Sequence, residues 1–199
     1  MKRFAIETLL KWKKSSRRKP MIIEGARQVG KTWLVKEFAA THYKNIAYVN
    51  FEEQVFLRSL FSTDYDRDRI INAISAATHV NIIPGETLIF LDEIQEAENG
   101  LTALKYFNEN ASEQHVIAAG SLLGIELHRD TSFPVGKVQF MTLHPMSFFE
   151  FLDAMGENRL MEIIRQKDWA TVNMFSPKLS EILKQYYYCL LYTSPSPRD

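Results

Sequence analysis

The sequence contains one cysteine, Cys189, so no disulfide framework can brace it. No apolar run approaches the roughly 20 residues that span a bilayer. The basic N-terminus, MKRFAIETLLKWKK, lacks the apolar stretch and small-residue cleavage site of a secretory signal. Neither sign of charge is in excess. Lys plus Arg and Asp plus Glu are each 24, which removes any global argument for nucleic acid or an anionic membrane. The five histidines, at 42, 79, 115, 128 and 144, show no metal-ligand spacing. There is no internal repeat. These absences lead to the expectation of a cytoplasmic, reduced, soluble protein with no membrane partner. The 199 residues, 46% of them hydrophobic, supply core material for one domain, or one domain and a fragment of a second.

What is present begins with PMIIEGARQVGKTWLVKEF, which contains GxxxxGKT without a mismatch at residues 25–32. Met21-Ile22-Ile23 predicts a buried strand, and Thr32 to Ala40 a helix with Leu34, Val35 and Phe38 inward. Strand, glycine loop and helix is the context a phosphate loop requires. Glycines at 25 and 30 let the backbone wrap a phosphate, and successive N–H groups then form an anion nest at a helix N-terminus. The candidate nucleotide-binding set is Gly25, Ala26, Arg27, Gln28, Val29, Gly30, Lys31, Thr32 and Trp33. Lys31 is expected to reach the β- and γ-phosphates and Thr32 to ligate Mg²⁺.

The second motif is LIFLDEIQ, an apolar strand over Thr87–Leu91 that ends in two acids. Asp92 can hold Mg²⁺ through water, because Mg²⁺ takes few protein carboxylates. Glu93 can polarise an attacking water. The third is VIAAGSLLG, where Ser121 follows a predicted strand over Val116–Ala119. In a sheet where that strand neighbours both motif strands, Ser121 would face the γ-phosphate and could help position the water; the alternative is a serine in an ordinary Gly-Ser turn. Lys31, Glu93 and Ser121 are the candidate catalytic residues.

Further elements follow from pattern. A helix is predicted over 2–14, then a basic linker ending at Pro20. Strands are predicted over Asn45–Phe51 and Val138–Leu143, and helices over 53–61, 66–78, 101–110 and 179–188. Ser147-Phe-Phe-Glu150 has capping-box spacing and should start a helix reaching Met155. Strands alternating with helices predict a parallel sheet covered on both faces. The last eleven residues, CLLYTSPSPRD, break the helical pattern and read as a non-native tail, like translated adapter sequence.

Together these elements resemble the AAA-family ATPases of bacteria and archaea. The resemblance rests on GARQVGKT at 25–32, Asn50-Phe51, Leu-Asp-Glu-Ile-Gln at 91–95, Gly120-Ser121, and a strand running into Leu-x-Pro-x-Ser-Phe-x-Glu-Phe at 143–151. It covers about residues 1–188. It implies a P-loop NTPase α/β/α sandwich with a five-stranded parallel sheet, ATP rather than GTP, and Mg²⁺-dependent hydrolysis. The GTPase specificity motif Asn-Lys-x-Asp is absent, in agreement. It also implies a C-terminal domain missing from this chain. The oligomeric state is left open, with a homo-oligomer among the possibilities. The organisation read this way is an N-terminal helix and basic linker at 1–19, an AAA-type ATPase domain at 20–155, a helical extension at 156–188, and the tail at 189–199. Relatives carry Gly-Arg before the fifth strand, where an arginine could act in trans; this chain has Gly136-Lys137, and Arg129 is another candidate.

The basic run of Lys11, Lys13, Lys14, Arg17, Arg18 and Lys19 reads either as a solvated linker or as a contact for nucleic acid phosphates. Phe148, Phe149 and Phe151 read as core or as a docking face for the missing domain. Three functions remain open at this point. They are an ATPase switch or motor acting on a partner, a kinase passing phosphate to a small acceptor, and a nucleotide-binding module without hydrolysis. The absence of an arginine-rich lid and the presence of Glu93 favour water as nucleophile.

Overall fold

The computed structural model describes residues 3–121 and 136–193. The chain order is α1 (Ala5–Lys14), β1 (Met21–Glu24), α2 (Lys31–His42), β2 (Asn45–Asn50), α3 (Arg67–Thr78), β3 (Thr87–Asp92), α4 (Gly100–Asn110), β4 (His115–Gly120), β5 (Gln139–Thr142), α5 (Phe148–Ala154), α6 (Asn158–Arg165), α7 (Trp169–Met174) and α8 (Ser176–Thr193). The five strands form one sheet in the order β2-β3-β4-β1-β5, and every pairing is parallel.

Side-chain alternation sorts the sheet into two faces. Ile22, Ile89, Leu91 and Ala118 join Ile70 and Ile74 of α3 and Leu104 and Phe107 of α4 in one core. Met21, Ile23, Leu88, Phe90, Ile117 and Ala119 join Leu9 and Trp12 of α1 and Leu34, Val35 and Phe38 of α2 in the other. The result is three layers. β3 and β4 are buried along their whole length, which is why both read as uninterrupted apolar runs. Leu34, Val35 and Phe38 are fully buried, and each such burial is worth about 1.5–3 kcal/mol.

A third, smaller core of Leu152, Leu160 and Ile182 gathers α5, α6 and α8. The box at Ser147 forms. The Ser147 hydroxyl accepts from the Glu150 amide, and the Glu150 carboxylate accepts from the Ser147 amide.

Three expectations need correction. Residues 53–61 do not form an α-helix; only a 3₁₀ turn at Val55–Leu57 does. The amides of Leu57, Arg58, Leu60 and Ser62 each bond three residues back, to Gln54, Val55, Leu57 and Ser59. Arg58 meanwhile donates to the Phe51 carbonyl, and the Gln54 side chain accepts from the Asn50 amide, so side chains satisfy the turn. The helical pattern does not stop at Tyr188, since α8 runs to Thr193. α1 starts at Ala5 rather than residue 2.

Candidate functional site

Ligand sites of open parallel sheets lie beyond the carboxyl ends of the strands. β1 delivers the glycine loop there, β3 delivers Asp92 and Glu93, and β4, seated between them, delivers Ser121. β4 thus neighbours both motif strands.

Two loop backbones need glycine. Gly25 has φ 149° and Gly30 has φ 91°; a Cβ at Gly25 would also collide with the Leu143 carbonyl oxygen. Gly30 stands at the N-cap of α2 and has no side-chain cap. Among the described residues, no protein group accepts from the amides of Arg27 through Trp33. A helix N-terminus with that many open donors is suited to an anion. Arg27, Gln28, Gly30, Lys31, Thr32, Trp33 and Glu93 line a cavity of about 290 Å³. The Val29 side chain turns away into the α1–α2 core, and Ala26 contributes a carbonyl.

Lys31, 6% exposed, donates through Nζ to the carbonyls of Gly25 (2.8 Å) and Ala26 (2.9 Å), which closes the loop around the ammonium. The Thr32 hydroxyl donates to Asp92 Oδ2 at 2.7 Å, so residues 60 positions apart in the chain meet. Tyr48 of β2 donates to the same oxygen at 3.2 Å. The backbone at Glu93 is left-handed, with φ 50° and ψ 50°, and this turns its side chain off the strand. Glu93 Oε2 accepts from the Gln95 amide at 2.6 Å and from the Ser121 hydroxyl at 3.3 Å.

The electrostatics leave two charges poorly accommodated. Burial pushes the Asp92 carboxyl above the usual carboxylate range, and the Glu93 charge adds to this against the pull of the Thr32 and Tyr48 hydroxyls. Burial lowers the Lys31 ammonium, Glu93 and Asp92 only partly restore it, and Arg27 opposes them. A polyphosphate beside Lys31 and a divalent cation beside Thr32 and Asp92 would relieve both. The donor set therefore fits Mg²⁺ held by one carboxylate, one hydroxyl and substrate oxygens. No group of three or more His, Cys, Asp or Glu among the described residues could hold a metal unaided.

Two contributors escaped sequence reasoning. Gln95 lies inside the quoted acidic motif, yet only its contact with Glu93 reveals it. Tyr48 sits on a strand whose register against β3 places it beside Phe90. Arg27, exposed at the cavity wall, pairs with Glu52 at 3.9 Å. Other candidates fall elsewhere. Lys137 precedes β5, at the amino edge of the sheet, and pairs with Glu109 at 2.9 Å. Arg129 lies outside the described residues. Half of the basic run is engaged by the fold: Lys13 Nζ donates to the His42 carbonyl, Arg18 to the Lys13 carbonyl, and Lys19 to the Gly136 carbonyl. No helix among the described residues is long and apolar enough to cross a membrane.

A family model described as an AAA domain matches residues 17–152. No curated protein matches the sequence. Among solved structures, Drosophila ORC bound to DNA matches with 18% identity and a TM-score of 0.51, covering 81% of this chain and 47% of that one. Cdc6p from Pyrobaculum aerophilum matches with 12% identity and a TM-score of 0.45, covering 76% and 46%. A Walker-type ATPase of Pyrococcus abyssi matches with 17% identity and a TM-score of 0.44, covering 82% and 62%. The chain thus spans less than two thirds of the length of each.

Proposed function

The chain belongs to the AAA domain family, and from that premise we propose that it binds ATP and hydrolyses it with Mg²⁺, as a switch or motor acting on a partner. The observation that carries this reading is the 2.7 Å bond from Thr32 to Asp92 beneath a row of open loop amides.

In this reading the amides of Arg27 through Trp33 and the Lys31 ammonium hold the polyphosphate. Thr32 and Asp92 would hold the cation. Mg²⁺ supplies neutralisation of charge on the β- and γ-phosphate oxygens. Glu93 orients water and takes up its proton as the water oxygen bonds to the γ-phosphorus and the bond to the β,γ-bridging oxygen breaks, with ADP as the leaving group. Both donors to Glu93 converge on Oε2, so Oε1 is the oxygen left for water. Ser121 and Gln95 act through Glu93, as positioning residues. Arg27, Gln28 and Trp33 form the cavity wall. The partner, whether a C-terminal domain or a second copy, is not assigned by the site. Lys13, Arg18 and Lys19 are engaged in the fold, so a nucleic-acid contact by the basic run would fall to the exposed Lys11, Lys14 and Arg17.

Phosphate release, measured with and without candidate small-molecule acceptors, separates hydrolysis from kinase transfer. Glu93→Gln should keep ATP binding and lower release by about 10²–10⁴-fold, the usual contribution of a general base. Lys31→Ala should lose binding. Normal ATP affinity in Lys31→Ala would overturn the reading.

A further inference from the structure

The geometry points to Arg3 as a positioning residue of the phosphate loop, one that turns the Gly30 amide toward a bound nucleotide phosphate; the inference rests on the nucleotide reading above. Arg3 is 4% exposed, an unusual state for an arginine. Its three guanidinium nitrogens serve three separate acceptors. Nε donates to Glu150 Oε1 at 3.1 Å, Nη1 to the Val29 carbonyl at 3.1 Å, and Nη2 to the His144 carbonyl at 2.8 Å.

The Val29 contact has the functional consequence. In a trans peptide the C=O and N–H point in opposite directions. Holding the Val29 oxygen on the Arg3 side therefore turns the Gly30 N–H to the other side. Gly30 lines the cavity, and among the described residues its N–H has no protein acceptor. Glycine relaxes the φ restriction at position 30, so the Val29–Gly30 peptide can turn at lower cost than one that precedes another residue. Arg3 restrains it from close range: a Cβ built on Gly30 would lie 3.6 Å from Arg3 Nη1.

The anchor is itself fixed. Glu150 Oε1 also accepts from the Phe4 amide at 2.8 Å, and Oε2 accepts from the Ser147 amide at 2.9 Å and hydroxyl at 3.2 Å. The segment after β5 thus grips the loop at both ends. The Leu143 carbonyl presses on Gly25, and His144 and Glu150 hold Arg3 against Val29. A lysine at position 3 has one compact ammonium and cannot serve three acceptors in a planar fork.

The test uses a fluorescent ATP analogue and amide NMR on the full chain. In the wild type, adding ATP and Mg²⁺ should move the Gly30 amide proton. Arg3→Lys should weaken analogue binding by at least about tenfold and raise KM, while kcat at saturating ATP changes far less. The double variant Arg3→Met with Glu150→Met removes both buried charges together, which spares the fold an unpaired carboxylate; it should bind as weakly as Arg3→Lys. A Gly30 amide unmoved by ATP in a wild type that binds it would overturn the inference and leave the nucleotide reading intact. So would folded Arg3 variants binding within twofold of wild type. A wild type that binds no ATP would overturn both.

Discussion

Asp92 is 2% exposed, and burial holds its carboxyl above the usual carboxylate range. A carboxyl whose folded pKa lies above its unfolded value costs stability wherever both states are ionised. That cost falls as the pH drops through the folded pKa. Asp92→Asn should therefore raise the nucleotide-free Tm by about 1–4 °C while removing hydrolysis. A melt measured at neutral pH checks this, and a Tm below wild type would contradict it. At this scale the loop was legible because GxxxxGKT is a local chemical sentence in which each residue acts within a few positions of its neighbours. Asp92 and Glu93 were legible because an apolar strand ended on them. Arg3, Tyr48 and Gln95 were not. Arg3 acquires its role from acceptors 26, 141 and 147 positions away, and Tyr48 from an acid 44 positions away. Gln95 lies close to Glu93 in sequence, but only the left-handed turn at Glu93 brings the two side chains together.

The strands were the most readable elements, because burial on both faces leaves no polar position to blur them. The helix expected over 53–61 failed although Leu57, Leu60 and Phe61 do turn inward at helical spacing. Val55 and Phe56 are 61% and 71% exposed, and the Gln54 and Arg58 side chains engage the backbone that a helix would have used. The amino end of β4 supplies a prediction of its own. His115 accepts or shares a proton with the Tyr43 hydroxyl at 2.7 Å, and the edge of the Trp12–His115 pair closes over it. Burial, then the positive Arg18 and Lys13, push its imidazole down to about 4. A histidine depressed in the fold contributes stability that is present above its ordinary pKa and lost as pH falls. The window here runs from about 6.5 down to 4, and the difference amounts to about 3 kcal/mol. His115→Gln should flatten the dependence of Tm on pH across that window. The wild-type slope persisting in the variant would refute the assignment.

At the scale of the whole molecule, the described residues form two cores against the sheet and a third among the helices that follow β5. Leu152→Ala removes a fully buried side chain from the third core and should cost that unit about 2–5 kcal/mol. Hydrogen exchange should quicken in α6 and α8 and stay unchanged in β3 and β4; equal acceleration in the strands would mean that the three cores unfold as one. The alternation of strands and helices made the parallel sheet legible, but strand order depends on long-range pairing that no local pattern encodes. That order has a consequence for how the protein is made. Among the described residues β1, at 21–24, pairs with β4, at 115–120, and β5, at 139–142. At about 5–20 residues per second, its first neighbour leaves the ribosome roughly 5–20 s after it does. Throughout that interval Met21, Ile22 and Ile23 have no strand to pair with. The loop that follows them therefore has no paired strand to hold it in place until β4 has been translated.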